Sequence, residues 1–425
     1  MIPVLLEALV KTVFMLLVIL LLLIPMIWAE RKGAAFIQDR TGPNRAQILG
    51  IRLAGLVHPI ADVLKLLFKE DIRPERAHKV LYTLAPLIVM AVALATFAVI
   101  PFGDYLEIAG RQIPLVVADL NVGILYVLAI ASLGTYGVVL AGWSSNNKFT
   151  FLGGVRSTAQ MISYEISMGL ALMGILLVFS SFRMTEIVAG QGELLWGFLP
   201  RWGVIVQPLG FVLFITAVFA ETNRNPFDLP EGESEIVAGF HLEYSSMKFA
   251  LFFMAEYAHM IIGAMLISCL YFGGYNIPWL PRSVLEANAS FLLPLIIVFT
   301  AIIFGWIAML FFRRAQRERN KFGDARDREP GLMGSSFAFL ACLVLLSLLL
   351  KPWNMNATAV SIFATIVQVL AFLVKVVFFS WFFIWVRWTL PRFRYDQLMA
   401  LGWKIMLPLG LANLVVTAIV VALVS

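Results

Sequence analysis

The chain has 425 residues, of which 61% are hydrophobic and only 14% are charged, and its formal net charge is +6. A soluble domain carries charge at about a quarter of its positions. The composition therefore excludes an ordinary soluble enzyme and predicts a polytopic membrane protein. We expect an all-α fold, because only helices and closed barrels satisfy their backbone groups within lipid.

Ten segments are apolar and long enough to cross a bilayer, for which a helix needs about 20 residues. The first is too long for a cleaved signal peptide, and we expect it to remain as a helix. All ten belong to one predicted membrane domain, residues 1–425. The segments lie near 7–28, 80–101, 122–142, 158–180, 203–220, 248–273, 290–312, 332–350, 358–386 and 404–424.

The lysines and arginines predict the orientation of the chain, because cytoplasmic loops carry an excess of them. They concentrate in 29–79, 143–157, 221–248, 313–331 and 387–404. We therefore expect these loops in the cytoplasm and both termini on the outer side of a bacterial inner membrane. The net charge reflects this topology. No basic loop is interleaved with aromatic residues as in a nucleic-acid stacking platform, so no nucleic-acid partner is expected.

The chain shows no motif for a metal or a redox cofactor. Its two cysteines, Cys269 and Cys342, fall inside predicted spans, and two cysteines alone cannot ligate an iron–sulfur cluster. There is no GxGxxG after a strand, no GxxxxGK[ST] and no HExxH. We therefore expect no redox centre and no metal site in this chain.

Two cytoplasmic loops carry contrasting patterns. In the loop 29–79, residues 50–69 are apolar, and Asp62, Lys65 and Lys69 recur three and four positions apart. This spacing predicts an amphipathic helix along the membrane surface. By contrast, 311–331 has the pattern of an ordinary solvated basic loop.

A run of acidic residues follows the fifth predicted span, in the loop 221–247. Apolar residues such as Phe227 and Phe240 interrupt it, which favours a packed segment over a solvated one. Crowded and desolvated carboxylates can share protons near neutral pH. A proton-relay role and a solvated surface loop both remain open from the residues alone. The acids are Glu221, Asp228, Glu231, Glu233, Glu235 and Glu243.

Charged residues also fall within the predicted spans. Glu165 lies in the fourth span, Glu256 in the sixth with His259 three residues later, and Lys375 in the ninth. A charge at the bilayer centre costs about 2.5–3.5 kcal/mol on insertion scales, so such residues face protein or water and often mark proton routes. The alternative is a polar group satisfied by a neighbouring helix. Lys375 is a candidate counter-charge for the acids.

Several longer motifs resemble one known family. They read AERKGAAFIQDRTGPNR, ADVLKLLFKEDIRP, STAQMISYEIS, ETNRNPFDLPEGESEIVAGFHLEYS and LPRFRYDQLMALGWK. In this order they are similar to the quinone-site membrane subunit of proton-pumping NADH:quinone oxidoreductase, respiratory complex I. The resemblance covers about 1–280 and 357–425.

The resemblance implies a role within a larger enzyme. The subunit would anchor the membrane arm to the soluble arm and form the inner part of a chamber for quinone, the substrate. FMN and iron–sulfur clusters would lie in partner subunits. The implied partners are the soluble iron–sulfur and quinone-site subunits, the antiporter-like membrane subunits and the lipid bilayer. The acidic loop would relay quinone reduction to proton translocation.

The resemblance also implies roles for individual residues. The proton relay would use Glu165, Glu221, Asp228, Glu231, Glu233, Glu235 and Glu256. Residues near the quinone chamber would be Glu30, Arg31, Arg40, Asp62, Lys65 and Glu70. Less defined cytoplasmic roles would fall to Tyr164, Glu243, Tyr244, Arg392, Arg394 and Asp396.

The chain departs from the family pattern in three places. Gly232 stands where alanine is usual, and Phe240 stands where tyrosine is common. The residues 282–356 are expected to be an inserted pair of transmembrane helices, which would bring the family's eight spans to ten. An inserted pair preserves the orientation of everything after it, and a lipid or an accessory subunit is the expected neighbour.

Three other functions compete with this interpretation. A homologous membrane subunit of an energy-converting hydrogenase shares part of the pattern, but DRTGPNR and the full acidic motif favour the quinone family. A stand-alone proton-coupled transporter would usually show paired repeats with broken helices, and the sequence shows neither. A purely structural anchor leaves the acids within the spans unexplained.

Overall fold

The computed structural model describes residues 2–48, 52–108, 110–229, 239–317, 327–350 and 355–424. Helices dominate this part of the chain, with two short hairpins between them. The helices are α1 Ile2–Ile37, α2 Val57–Phe68, α3 Lys79–Thr96, α4 Gly123–Ser144, α5 Lys148–Phe179, α6 Met184–Gly190, α7 Gly203–Val206, α8 Pro208–Glu221, α9 Ser246–Tyr271, α10 Arg282–Ala287, α11 Ala289–Arg317, α12 Glu329–Leu346, α13 Ala357–Thr389, α14 Tyr395–Ala400 and α15 Leu407–Val424. The strands are β1 Tyr105–Ile108, β2 Arg111–Pro114, β3 Leu194–Leu195 and β4 Leu199–Pro200.

Nine helical segments within the described residues are long and apolar enough to cross a membrane. The expectation of an all-α polytopic membrane protein is confirmed. The fifth predicted span, 203–220, differs from a single long helix: it consists of α7 and α8, separated at Gln207, whose φ and ψ are −133° and 60°. The break precedes Pro208, which has no backbone N–H to continue the ladder of α7.

Two predicted boundaries around the first loop need correction. The first span was expected to end at residue 28, but α1 continues to Ile37 and includes Glu30 and Arg31. The helix passes through Pro25 and Gly33 and extends beyond the apolar run. The amphipathic helix expected over 50–69 is the shorter α2, and Lys69 lies just beyond its end.

The helix α9 lies at the centre of the packing. It contacts α1, α2, α3, α8 and α13, and most of its residues are buried. Close approach to α8 requires a glycine at position 263, because a Cβ there would lie 2.5 Å from Val218 Cγ1. In contrast, α11 and α12 pack mainly against each other and leave their other faces exposed.

Lys375 on α13 stabilises the chain that follows α9. Its ammonium donates to the backbone carbonyls of Phe272, Gly274 and Asn276 at 2.7–2.8 Å. Those carbonyls belong to the end of α9 and the turn beyond it, where intrahelical donors are missing. The sequence had offered Lys375 as a counter-charge for the acids; among the described residues it serves backbone carbonyls instead.

The end of the predicted solvated loop 311–331 also differs from expectation. Glu329, the first residue of α12, is buried. Its carboxylate accepts hydrogen bonds from the backbone N–H groups of Arg52, at 3.1 Å, and Ala54, at 3.5 Å. Glu329 is buried because these N–H groups replace its hydration.

Candidate functional site

A buried ion cluster lies where four parts of the chain meet. Arg224, 1% exposed, follows α8 and contacts Glu30 of α1 through Nη1 and Oε2 at 2.9 Å. Its Nε lies 2.6 Å from Oε1 of Glu256 on α9. Arg387, near the end of α13, pairs with the other oxygen of Glu30. The Tyr257 hydroxyl donates to Glu30 Oε2 at 2.7 Å.

The cluster balances its charges within an apolar surrounding. The guanidinium of Arg224 also lies over the ring of Tyr257, 4.5 Å from its centroid. Burial disfavours the charged guanidinium, but Glu256 and Glu30 outweigh this effect and hold the pKa of Arg224 well above its usual value. Removing one partner from such a group leaves a buried charge uncompensated. The four segments are therefore joined electrostatically.

The turn that carries Arg224 is fixed by polar side chains that connect it to α5 and α13. Gln160 of α5 donates its amide to the carbonyls of Ala220 and Phe227, both at 2.9 Å. Asn225 donates to the carbonyl of Arg387 at 2.9 Å. The bond between Asn225 and Pro226 is cis. These contacts set the direction in which the chain leaves α8.

Asp228 and its partner extend the site to the loop 387–404. Arg392 Nη2 donates to Asp228 Oδ2 at 2.9 Å, and Asp228 is buried. The backbone N–H of Phe393 donates to the carbonyl of Pro226 at 3.1 Å. The structure therefore brings together Asp228 and Arg392, which the sequence had placed in separate motifs.

Glu221 and Glu256 line one small cavity. Its volume is about 30 Å³, enough for a water molecule, which needs about 10–15 Å³ of such space. Asn223 and His259 contribute polar groups to its wall. Glu221 Oε2 is buried and accepts no hydrogen bond from the residues that the structure describes. The cavity thus joins two acids that lie 35 positions apart in the chain.

Glu165 of α5 is a further acid near Glu221. The hydroxyl of Ser132 donates to its Oε1, and Glu165 is near enough to Glu221 for their charges to interact. Ser132 is thus a polar neighbour of Glu165 on another helix, the arrangement that the sequence had left as an alternative. Glu165, Glu221 and Glu256 are thus three neighbouring carboxyl groups, on α5, α8 and α9.

The residues expected near the quinone chamber lie mostly on α1 and α2. Arg31 Nη1 and Asp62 Oδ2 are 2.5 Å apart, and Lys65 Nζ is 3.8 Å from Asp62 Oδ1. Arg40 and Glu70 are exposed. Glu30 lies apart from this surface group, inside the ion cluster.

The face of α2 carries exposed apolar residues next to Asp62. Their exposed fractions run from 41% to 51%, and Phe68 reaches 87%. A charged pair therefore stands at the edge of an unpartnered apolar surface. The apolar residues are Ile60, Val63, Leu64 and Leu67.

The residues with less defined predicted roles have structural contacts. Tyr244 stacks on Tyr82 with ring centroids 4.1 Å apart, and burial raises the pKa of Tyr244 to about 12. Asn147 donates its amide to Glu243 Oε1 at 2.6 Å. The Tyr164 hydroxyl donates to the carbonyl of Leu398 at 2.8 Å.

Arg394 and Asp396 pair with each other at 2.7 Å on an exposed surface. Their position outside the ion cluster gives them no contact with the buried acids in the described structure. Glu231, Gly232, Glu233 and Glu235 lie outside the described residues. Their predicted places in the relay stay predictions.

Sequence reasoning missed the basic half of the ion cluster. Arg224, Arg387 and Tyr257 had no role assigned from the sequence. A lone arginine within a run of acids was the available signal. Within the described ranges, no group of three or more histidine, cysteine or acidic side chains is arranged to hold a metal ion.

Comparison with known proteins identifies the family. A family model described as NADH dehydrogenase matches residues 10–321 and 333–418. The match therefore includes most of the predicted inserted pair, 282–356, and omits only 322–332 of it. The insertion itself stays a prediction.

Curated relatives match most of the chain, and each is named as one subunit of NADH-quinone oxidoreductase. The relative from Solibacter usitatus is 43% identical over 402 residues, covering 93% of this chain and 91% of the relative. The relative from Cytophaga hutchinsonii is 40% identical over 390 residues, covering 92% and 89%. NADH-quinone oxidoreductase subunit 8 of Rhodothermus marinus is 41% identical over 400 residues, covering 94% and 93%. The chain therefore belongs to the NADH dehydrogenase family, among these membrane subunits of NADH-quinone oxidoreductase.

Proposed function

We propose that this chain forms part of the quinone chamber of a proton-translocating NADH:quinone oxidoreductase and couples quinone reduction to proton movement through its carboxyl groups. The family membership supports the reaction. The observation that carries the coupling role is the shared cavity of Glu221 and Glu256. Glu256 also contacts Arg224 of the ion cluster, and Glu221 interacts with Glu165.

The ion cluster is suited to respond to a change of charge at the chamber. Glu30 and Glu256 share the guanidinium of Arg224, so a shift of Arg224 toward one acid weakens its contact with the other. Quinone reduction consumes protons as well as electrons. A proton drawn from the cytoplasmic surface acids would change the balance around Glu30, and Arg224 would transmit the change to Glu256.

The cavity provides the next step of the relay. A water between Glu256 and Glu221 would accept a proton from one carboxyl group and donate one to the other. A change in the charge of Glu221 would act on Glu165 through the electrostatic interaction between the two carboxyl groups. The hydroxyl of Ser132 would hold the carboxylate of Glu165 in place. Each of these three carboxyl groups has another carboxyl group as a neighbour in the interior. A fixed charge there would be costly.

The quinone itself would lie along α2 and the end of α1. An apolar tail is bound by burial, and only the headgroup needs directed polar contacts. The exposed apolar face of α2 fits the tail, and the pair of Arg31 and Asp62 stands at its edge. The surface of the chamber opposite α2 would come from a soluble partner subunit.

The remaining parts of the proposal rest on the resemblance of the motifs to the family and on the chain's charges. FMN and iron–sulfur clusters would lie in soluble partners, and antiporter-like subunits would continue the membrane arm. The loops rich in lysine and arginine would face the cytoplasm of a bacterium, with both termini outside.

Glu221→Gln tests the relay. It preserves the size of the side chain and removes its proton, so the complex should assemble. Loss of a positioned proton-transfer group costs on the order of a hundredfold in the step it serves, and we expect coupled quinone reduction to fall at least about tenfold. NADH oxidation and NADH-driven acidification of inverted vesicles would measure both sides of the coupling.

A matched control is Glu193→Gln, because Glu193 is exposed, pairs with Arg201 and does not line the cavity. It should pump at the wild-type ratio. An assembled Glu221→Gln complex that pumps normally would contradict the relay role of Glu221. The same measurement on Glu235→Ala would test the acid that lies outside the described residues.

A further inference from the structure

The turn that leads into α2 has an unusual backbone. Leu53, Ala54 and Gly55 have φ values of 47°, 54° and 98°. Positive φ is uncommon for residues with a Cβ, and two such residues in succession need support from their surroundings. Gly55 is required where it stands, because a Cβ there would lie 2.2 Å from the carbonyl oxygen of Pro43.

Two side chains from elsewhere hold this turn. Glu329 Oε1, at the start of α12, accepts the N–H of Arg52 at 3.1 Å and the N–H of Ala54 at 3.5 Å. Trp28 Nε1 of α1 donates to the carbonyl of Ala54 at 3.0 Å. The turn is therefore fastened on one side to α1 and on the other to α12, 275 positions later in the chain.

Glu329 is committed to this contact. It is buried, and burial of a carboxylate is tolerated when hydrogen bonds replace its hydration. The residues 322–332, which include Glu329, are the stretch between the two matched parts of the family model. The contact therefore comes from a part of the chain that the family pattern does not describe.

The turn fixes the start of α2. Val57, the first residue of α2, follows it after one residue, and both Val57 and Pro59 are buried. The exposed apolar face of α2 and Asp62 therefore move with the turn. A change in the turn would shift the proposed quinone surface without altering any residue that contacts quinone.

We infer that Glu329 is a positioning residue for quinone binding: by accepting the N–H groups of Arg52 and Ala54, it holds the turn that places α2. This inference rests on the proposed function. It gives the second half of the predicted inserted pair a role in the reaction, although the pair lies at the periphery of the fold.

Hydrogen exchange in the assembled complex tests the contact directly. Glu329→Ala removes the acceptor, so the amides of Arg52 and Ala54 should exchange faster than in the wild type. Glu329→Gln keeps an oxygen in nearly the same place and should protect both amides. Amides in α9 serve as the internal reference, and their exchange should be the same in all three proteins.

Steady-state kinetics with a soluble ubiquinone analogue tests the consequence. In Glu329→Ala the KM for quinone should rise about two- to tenfold, the change expected for one lost hydrogen bond, while kcat remains near the wild-type value. Glu329→Gln should restore KM. A general loss of structure would lower kcat and the amount of assembled complex, and it would not leave KM as the altered quantity.

Unchanged exchange in Glu329→Ala would overturn the inference, since the acceptor would then not hold the turn. Faster exchange with an unchanged KM would also overturn it, because the turn would not place the quinone surface. A wild-type complex that fails to reduce quinone would overturn the proposed function itself. That failure is recognised in the wild type, before any variant is compared.

Discussion

The helices α9 and α11 show that burial and hydropathy follow different rules in this molecule. We compare the most apolar stretch of each helix. In α9, 78% of the residues in this stretch are buried, whereas in α11 only 11% are buried. Their mean hydropathies run the other way, at 1.7 for α9 and 2.7 for α11. The more polar helix is thus the more buried one.

The bilayer explains this inversion. Lipid tails are as apolar as leucine, so an apolar helix gains little by moving from lipid into protein. Polar and charged groups avoid the lipid and gather where other protein groups satisfy them. Glu256 and His259 therefore lie on the central helix, while α11 exposes residues such as Phe299 and Ile302. In this protein the polar residues indicate the interior.

Removal of Arg224 should have the largest effect on the central region. Arg224→Ala leaves Glu30 and Glu256 without their shared cation, and breaking a buried ion pair costs about 3–5 kcal/mol. We expect a severe loss of assembled complex. Blue native electrophoresis of membranes, with thermal denaturation of any complex recovered, would measure it.

The matched control is Arg201→Ala. Arg201 pairs with Glu193 at 2.7 Å, but both side chains are partly exposed. Exposed pairs contribute about 0–1 kcal/mol, so assembly should be near normal. Equal losses in the two variants would show that burial of the cluster does not govern its contribution.

Two glycine substitutions compare the central and peripheral helices directly. Gly263→Ala places a Cβ 2.5 Å from Val218 of α8, a stiff and buried side chain, so overpacking should cost about 1–3 kcal/mol. Gly305→Ala on α11 meets nothing within 4 Å. It should be neutral or stabilising by up to about 1 kcal/mol, because alanine favours helix.

Denaturant titration of the full chain in mild detergent, followed by tryptophan fluorescence, would give both free energies of unfolding. Equal destabilisation by the two substitutions would remove the distinction between a packed centre and a lipid-facing periphery. A neutral Gly263→Ala would show that α8 and α9 separate without cost.

His241 should give the smallest effect, visible only in acid. It lies just before α9, against the rings of Phe240 and Phe249, and burial lowers its pKa from 6.5 to about 4. The folded protein therefore holds it neutral, while the unfolded chain protonates it below about pH 6.5. Its contribution to stability is complete above that pH and decreases as the pH falls toward 4.

His241→Gln removes this titration. Between about pH 7.5 and 5, the thermal midpoint of the wild type should fall further than that of the variant. Parallel midpoints across this range would mean that His241 is not held neutral by the packing before α9. The comparison needs one buffer ionic strength throughout, since screening also changes with salt.

Much of this structure could be predicted from local sequence. Runs of apolar residues predicted the spans because bilayer thickness sets a minimum helix length. The prediction of the fifth span was less accurate, because Pro208 divides that apolar run into two short helices. The predicted end of α1 was also wrong, because hydropathy indicates where a helix leaves the lipid and not where its backbone hydrogen bonds end. The acids of the proposed relay were predicted from their motifs, but their contacts could not be predicted.

By itself the sequence determined the class of protein, the apolar spans and the family, because hydropathy and long motifs are properties of contiguous residues. Only the tertiary structure decided which charges meet. Glu30 contacts Arg224, 194 positions away, and Arg387, 357 positions away. Hydropathy cannot predict such contacts, because lipid and the protein interior are equally apolar; the packing of helices against one another selects them.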